Sequence, residues 1–180
     1  MISKLLSNTY VIRGNFLVYL IEIDDGLVVI DASDGSDLSI VIDGIYEISE
    51  KISKKPKLLI LTSYLREVAG GANFLSRFFS IPVISSKEIA PVLRKGGNPE
   101  NSYEPINISI EVKNKSKVFL NDILDLNCSS LIEIIKSNTP VIGSIFIKYN
   151  SLLFTGSSGV SGLKNKISYI CNAYNFEKVS

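Results

Sequence analysis

The chain contains no histidine. That absence removes the general base of every Ser-His-Asp arrangement and the commonest side-chain ligand of transition metals. Ser63, Ser157 and Ser158 therefore have no imidazole to activate them. A Ser-Lys pair stays chemically open, but no spacing points to one. Cysteine is scarce as well. Cys128 and Cys171 lie far apart and form no Cys-x-x-Cys, so they read as buried thiols rather than a redox pair or zinc ligands. An intracellular disulfide is the alternative. No apolar run approaches the roughly 20 residues that span a bilayer. The opening "MISKLLSNTY" is too short and too polar for a signal peptide. A cytoplasmic protein without membrane contact is expected. An excess of one charge is missing too: 19 Lys and Arg face 18 Asp and Glu, for a net charge of +1. No global field then attracts nucleic acid or an anionic membrane, so a nucleic-acid partner is not expected. The densest basic cluster is Lys51, Lys54, Lys55 and Lys57 around Pro56; it reads as a solvated helix end and loop.

What is present is apolar substance. Of 180 residues, 46% are hydrophobic, enough to bury a real core in one domain, residues 1–180, and too few residues for two. The first third is β-like. "TYVIRG", "NFLVYLIEID" and "GLVVIDAS" are separated by Gly14-Asn15 and Asp24-Asp25-Gly26, good turn chemistry for three successive strands in a meander. Leu38, Val41, Ile42, Ile45, Ile48 and Ile52 then fall at helical spacing, and Pro56 ends that stretch. "KLLILTS" reads as a strand buried on both faces, "REVAGGANFLSRFF" as a second helix, "IPVISS" as a strand, and "KEIAPVLRKGG" as a short helix ended by Gly96-Gly97. Residues 98–106 are loop-like. β character returns in "ISIEV", "KVFL", "ILDLN", "SLIEIIKS", "GSIFIKYN" and "SLLFTG", while "KISYICNAY" fits a strand or a short helix. A β-rich, then αβα, then β-rich order suggests a mixed α/β sandwich of two sheets covered by helices.

At residues 62–71 the order Thr62, Ser63, Tyr64, Leu65, Arg66, Glu67, Val68, Ala69, Gly70, Gly71 follows a buried strand. Upstream, "NFLVYLIEIDDGLVVIDAS" is a hairpin closing on Asp31. Downstream come "FLNDILDL" and "SNTPVIGSIFIKYNSLLFTGS". In this order the pieces resemble the metallo-β-lactamase fold superfamily, over about residues 8 to 160. The resemblance implies an α/β four-layer αββα sandwich, here C-terminally shortened because the terminal helix–strand–helix portion has little chain left for it. It also implies where a metal centre would be. In the family the strand runs into a T-H-x-H-x-D-H-x-G-G motif, a later loop carries another histidine, and a bridging aspartate follows F-T-G. Those positions are Ser63, Leu65, Glu67, Val68, Pro140 and Ser157 here. The pattern positions that support the cleft persist as Asp31, Thr62, Gly70 and Gly71, with Tyr64 beside them and Gly143, Ser144 and Gly156 in the later loops.

The remaining chemistry is meagre. A catalytic zinc takes at least three N, S or O protein ligands plus water. Leu65 and Val68 are hydrocarbon, serine hydroxyls are weak donors, and Glu67 is a single carboxylate. Without a metal no hydroxide forms near neutral pH. Leu65 and Val68 would instead plug the cleft. Glu67 also fits a plain role in the first turn of a helix capped by Ser63 or Thr62; an anion site at that helix start is the functional alternative. "GSSGVSG" after the last strand resembles a phosphate loop, but Lys164 is followed by Asn165, not Ser or Thr. The expected protein has no metal and no cofactor, and works as an interaction or assembly module with a protein partner or further copies of itself. The alternatives are a hydrolase of the same fold with an atypical or metal-free site, and a binder of small anions in the old cleft.

Overall fold

Alternating apolar side chains make strands with two usable faces, and this chain uses both. The structure is a computed structural model describing residues 1–6, 8–113, 118–124, 131–137, 139–158 and 167–179. Its first sheet holds β1 (Ile2–Leu6), β2 (Thr9–Arg13), β3 (Leu17–Ile23) and β4 (Gly26–Ile30), followed by β5 (Pro56–Ile60), β6 (Val83–Ser86) and β7 (Ile110–Val112). Spatial order equals chain order. β1 to β4 pair antiparallel; β4 to β7 pair parallel. Crossovers supply the helices α1 (Leu38–Ile52), α2 (Arg66–Ala69), α3 (Ala72–Phe79) and α4 (Ala90–Arg94). The second sheet runs β13-β12-β11-β10-β9-β8, built from β8 (Val118–Phe119), β9 (Ile132–Lys136), β10 (Ile145–Tyr149), β11 (Leu152–Gly156), β12 (Tyr169–Asn172) and β13 (Phe176–Lys178). Among the described residues only β11 and β12 pair parallel there.

Two cores result. Leu27, Val29, Leu59 and Leu61 face Val41, Ile45, Ile48, Leu75 and Leu93 of the helices. Val28, Ile30, Leu58 and Ile60 face Ile134, Ile147, Leu152 and Phe154 of the second sheet. Adjacent residues of β4 and β5 thus serve opposite layers. α1 buries Val41, Gly44, Ile45, Ile48 and Ser49, a single stripe at helical spacing. At roughly 25 cal/mol per Å² of apolar area, each fully buried aliphatic side chain contributes on the order of 1.5–3 kcal/mol. Among the described residues no helix is long and apolar enough to cross a membrane.

Several local features differ from what the sequence suggests. "ILDLN" does not start as a strand: a 3-10 turn over Leu120–Asp122 runs into Ile123 and Leu124, and the rest of that stretch lies outside the described residues. The opening segment forms β1, an edge strand whose Ile2, Leu5 and Leu6 are partly buried against the two cores; it pairs antiparallel with β2 and adds one strand to the three-stranded meander expected. The helix expected over 66–79 is two helices. The Gly71 N–H donates to Ser33 O at 3.2 Å, so the helical ladder breaks at the glycine pair. Finally, neither Ser63 nor Thr62 is the N-cap of α2. Leu65 holds that position, because the Thr62 hydroxyl turns to Asp31 and the Ser63 hydroxyl accepts the Leu65 N–H at 3.2 Å. Within "KISYICNAY", Tyr169–Asn172 forms strand β12. Cys171 is a buried free thiol, its pKa pushed up to about 12 by burial. Cys128 lies outside the described residues.

Candidate functional site

Parallel strands deliver their following loops to one edge of a sheet, where α/β folds place their ligand sites. Here β4 delivers Asp31, β5 delivers Thr62 to Glu67, and β6 ends at Ser86. The second sheet meets the same edge. The Ile145 N–H donates to Thr62 O at 2.9 Å across the sheets, and within the second sheet the Ala173 N–H donates to Gly156 O at 2.7 Å. The Ser86 hydroxyl donates to Gly143 O. Loops far apart in the chain therefore converge.

Asp31 is the centre of this edge. It is buried and sits at φ +62°, a left-handed conformation that aspartate tolerates better than most residues. The Thr62 N–H donates to its Oδ1 at 2.9 Å, and the Thr62 hydroxyl lies 2.9 Å from both carboxylate oxygens. Burial raises the Asp31 pKa to about 7, against the opposing pull of the two Thr62 hydrogen bonds. Gly156 closes over the pair. Its φ is +63°, and a Cβ there would lie 2.2 Å from Thr62 Oγ1. Next to it the Ser157 Oγ is buried with no hydrogen-bond partner among the described residues.

The six positions singled out by the motif do not share one environment. Ser63 is buried and spends its hydroxyl on the local turn. Val68 is fully buried, and its carbonyl accepts the Ala32 N–H at 2.8 Å. Leu65 is half-buried and Pro140 is exposed. Glu67 lies in the first turn of α2; its Oε1 accepts the Tyr174 hydroxyl at 3.0 Å. Burial, then this hydrogen bond, raises the Tyr174 pKa. The Tyr174 partnership spans 107 positions and had no sequence signal. The Tyr64 carbonyl accepts the Tyr103 hydroxyl at 2.7 Å. Gly70 and Gly71 press against backbone: Cβ atoms there would lie 2.2 Å from Asp34 O and 2.3 Å from Ala32 O.

Solved structures decide the fold. A B3 metallo-β-lactamase with an active-site glutamic acid superposes with a TM-score of 0.79 over 99% of this chain and 83% of its own, at 16% identity. A subclass B3 metallo-β-lactamase of Bradyrhizobium japonicum gives 0.73 over 96% and 76%, at 14% identity. A metallo-β-lactamase from Novosphingobium pentaromativorans gives 0.75 over 96% and 76%, at 11% identity. The chain has the metallo-β-lactamase fold. No family model and no curated protein matches the sequence, so the likeness carries the fold alone.

In a metallo-β-lactamase fold this edge invites the question whether the residues present suit a metal. They do not. Among the described residues no group of three or more Cys, Asp or Glu side chains stands together, and the chain has no His. Asp31 is engaged by Thr62, and Glu67 by Tyr174. Leu65, Val68 and Pro140 offer no side-chain donor at all. Beside the edge lies a cavity of about 510 Å³. Arg66, Asn73, Ser102 and Tyr103 line it together with Asp34 and Glu104. One guanidinium against two carboxylates gives no excess positive charge for a small anion. α2, with four residues, has too few aligned peptides to act as a strong dipole.

Proposed function

We propose that this chain is a metallo-β-lactamase-fold pseudoenzyme that has given up metal-dependent hydrolysis and acts as a protein-interaction or assembly module. The donor set carries this reading. Ser63, Leu65, Glu67, Val68, Pro140 and Ser157 are the vestigial metal-site positions, and only Glu67 retains a charged donor, already bonded to Tyr174. Loss extends over three separate loops, so no half-site remains. What the edge retains is a joint: Asp31, Thr62, Gly70, Gly71 and Gly156 hold the two sheets and the first helices together. Support for an interaction role comes from the outer face of α1 and α3, where Tyr46, Phe74 and Phe78 are each close to half exposed.

The alternatives make different predictions. A hydrolase with an atypical or metal-free site would turn over a lactam, ester or thioester. An anion binder would be stabilised against melting by acidic metabolites. On the present reading, a panel of lactam, ester and thioester substrates, assayed with and without added zinc, gives rates equal to the protein-free control. Saturable turnover that follows protein concentration would sink the reading.

A further inference from the structure

A helix on the outside of a sandwich normally offers polar side chains to water. α1 and α3 break this rule at one patch. Tyr46 is 48% exposed, Phe74 47% and Phe78 46%. They are one cluster: Phe74 stacks on Phe78 at 5.8 Å, and Tyr46 meets Phe78 edge-on at 6.0 Å and Phe79 at 5.6 Å. Contiguous exposed aromatics mark interaction surfaces, whereas single ones do not.

Charges flank the cluster in a self-complementary way. α1 exposes Asp43, Glu47 and Glu50 beside Tyr46, with Lys51 in its last turn and Lys55 just beyond it beside Tyr46 and Phe78. α3 exposes Arg77 beside Phe78. Asp43, Glu47, Glu50 and Arg77 have no salt-bridge partner among the described residues. The two helices run in the same sense: Leu38 and Phe74 share a cavity at their starts, and Tyr46 meets Phe78 further along. A twofold axis along the helices would therefore set α3 of one copy over α1 of the other at the same height. Phe74 and Phe78 would cover Tyr46, and Arg77 would meet Glu47 and its acidic neighbours, twice by symmetry.

We infer that the occupant of this face is a second copy of the same chain, joined as a twofold dimer through α1 and α3. The inference rests on the assembly-module reading above and names its partner. A heterologous partner would need its own paired set of charges; a second copy already has them.

The test is sedimentation equilibrium on the full chain. Wild type is expected to dimerise. Arg77→Glu and Glu47→Arg each set like charges opposite one another and weaken association by at least about tenfold. Mixed together, the two variants pair oppositely charged residues again and recover association. Phe78→Glu, at an exposed site, keeps the fold by circular dichroism and stays monomeric. A wild-type chain that remains monomeric overturns the dimer. So does a dimer indifferent to all three substitutions, which places the interface elsewhere while leaving the assembly reading intact. A mixture that recovers nothing overturns the charge pairing and with it the proposed geometry. Turnover in the hydrolysis assay would instead overturn the parent reading, and is read independently.

Discussion

Replacing Asp31 by alanine is expected to cost about 2–6 kcal/mol of unfolding free energy. Thr62 is fully buried, and both its N–H and its hydroxyl rely on Asp31. Alanine leaves both groups without a partner, at about 1–3 kcal/mol each, and is less comfortable than aspartate at φ +62°. Asparagine should behave differently. Its carbonyl accepts the Thr62 N–H, its amide donates to the Thr62 hydroxyl, and it tolerates the left-handed backbone. The wild-type residue also makes stability depend on pH. The folded pKa of Asp31 is raised from 3.8 to about 7, so folding favours the protonated form. The stabilisation is fully present below the unfolded pKa and is lost as pH rises through about 7. Urea titrations between those values should show stability falling with pH, at up to about 1.4 kcal/mol per pH unit. Asp31→Asn should lose this component of the slope. An Asp31→Asn protein with an unchanged slope would mean that another group carries the dependence.

Gly70→Ala should be nearly as damaging, for a reason of space alone. The Gly70 φ is −58°, which alanine adopts freely. Yet the added Cβ would lie 2.2 Å from Asp34 O, 2.5 Å from its carbonyl carbon and 2.8 Å from its Cα. These are backbone atoms, and the chain beside them is fixed by the Ala32–Val68 and Gly71–Ser33 hydrogen bonds. Overpacking that cannot relax through a side chain costs about 3 kcal/mol. Gly44→Ala is the matched control. The three atoms nearest its Cβ are side-chain carbons of Ile12, at 2.8–3.0 Å, and alanine gains about 1 kcal/mol of helix propensity in mid-helix. Denaturation midpoints should therefore fall far more for Gly70→Ala than for Gly44→Ala. Equal shifts would contradict the close approach of the two loops.

These positions also show what could be read from the chain and what could not. The β2–β4 meander was legible because Gly14-Asn15 and Asp24-Asp25-Gly26 interrupt apolar runs cleanly. α1 was legible because its buried residues keep helical spacing, and the order of pieces pointed to the fold that the solved structures share. Features set by long-range partners were not. β1 is a short edge strand, placed by its pairing with β2 and by Ile2, Leu5 and Leu6 packing on the two cores. The break between α2 and α3 comes from Ser33, some 38 positions before Gly71. Thr62 looked like a cap, but a buried carboxylate 31 positions away claims its hydroxyl. Glu67 looked like a plain helix-start residue; it lies there, yet its carboxylate also ties α2 to Tyr174 near the other end of the chain. Local chemistry can be inferred from neighbours in sequence, whereas competition for a donor is decided by whatever the fold brings near.

A donor set without three convergent ligands is expected to hold no metal, and elemental analysis tests this most directly. The full chain is equilibrated with excess zinc, desalted, and measured by inductively coupled plasma mass spectrometry. The prediction is well under one tenth of a zinc per chain, roughly the background for a protein lacking three convergent ligands. Retention of one or two zinc ions per chain, lost on chelation, would contradict it.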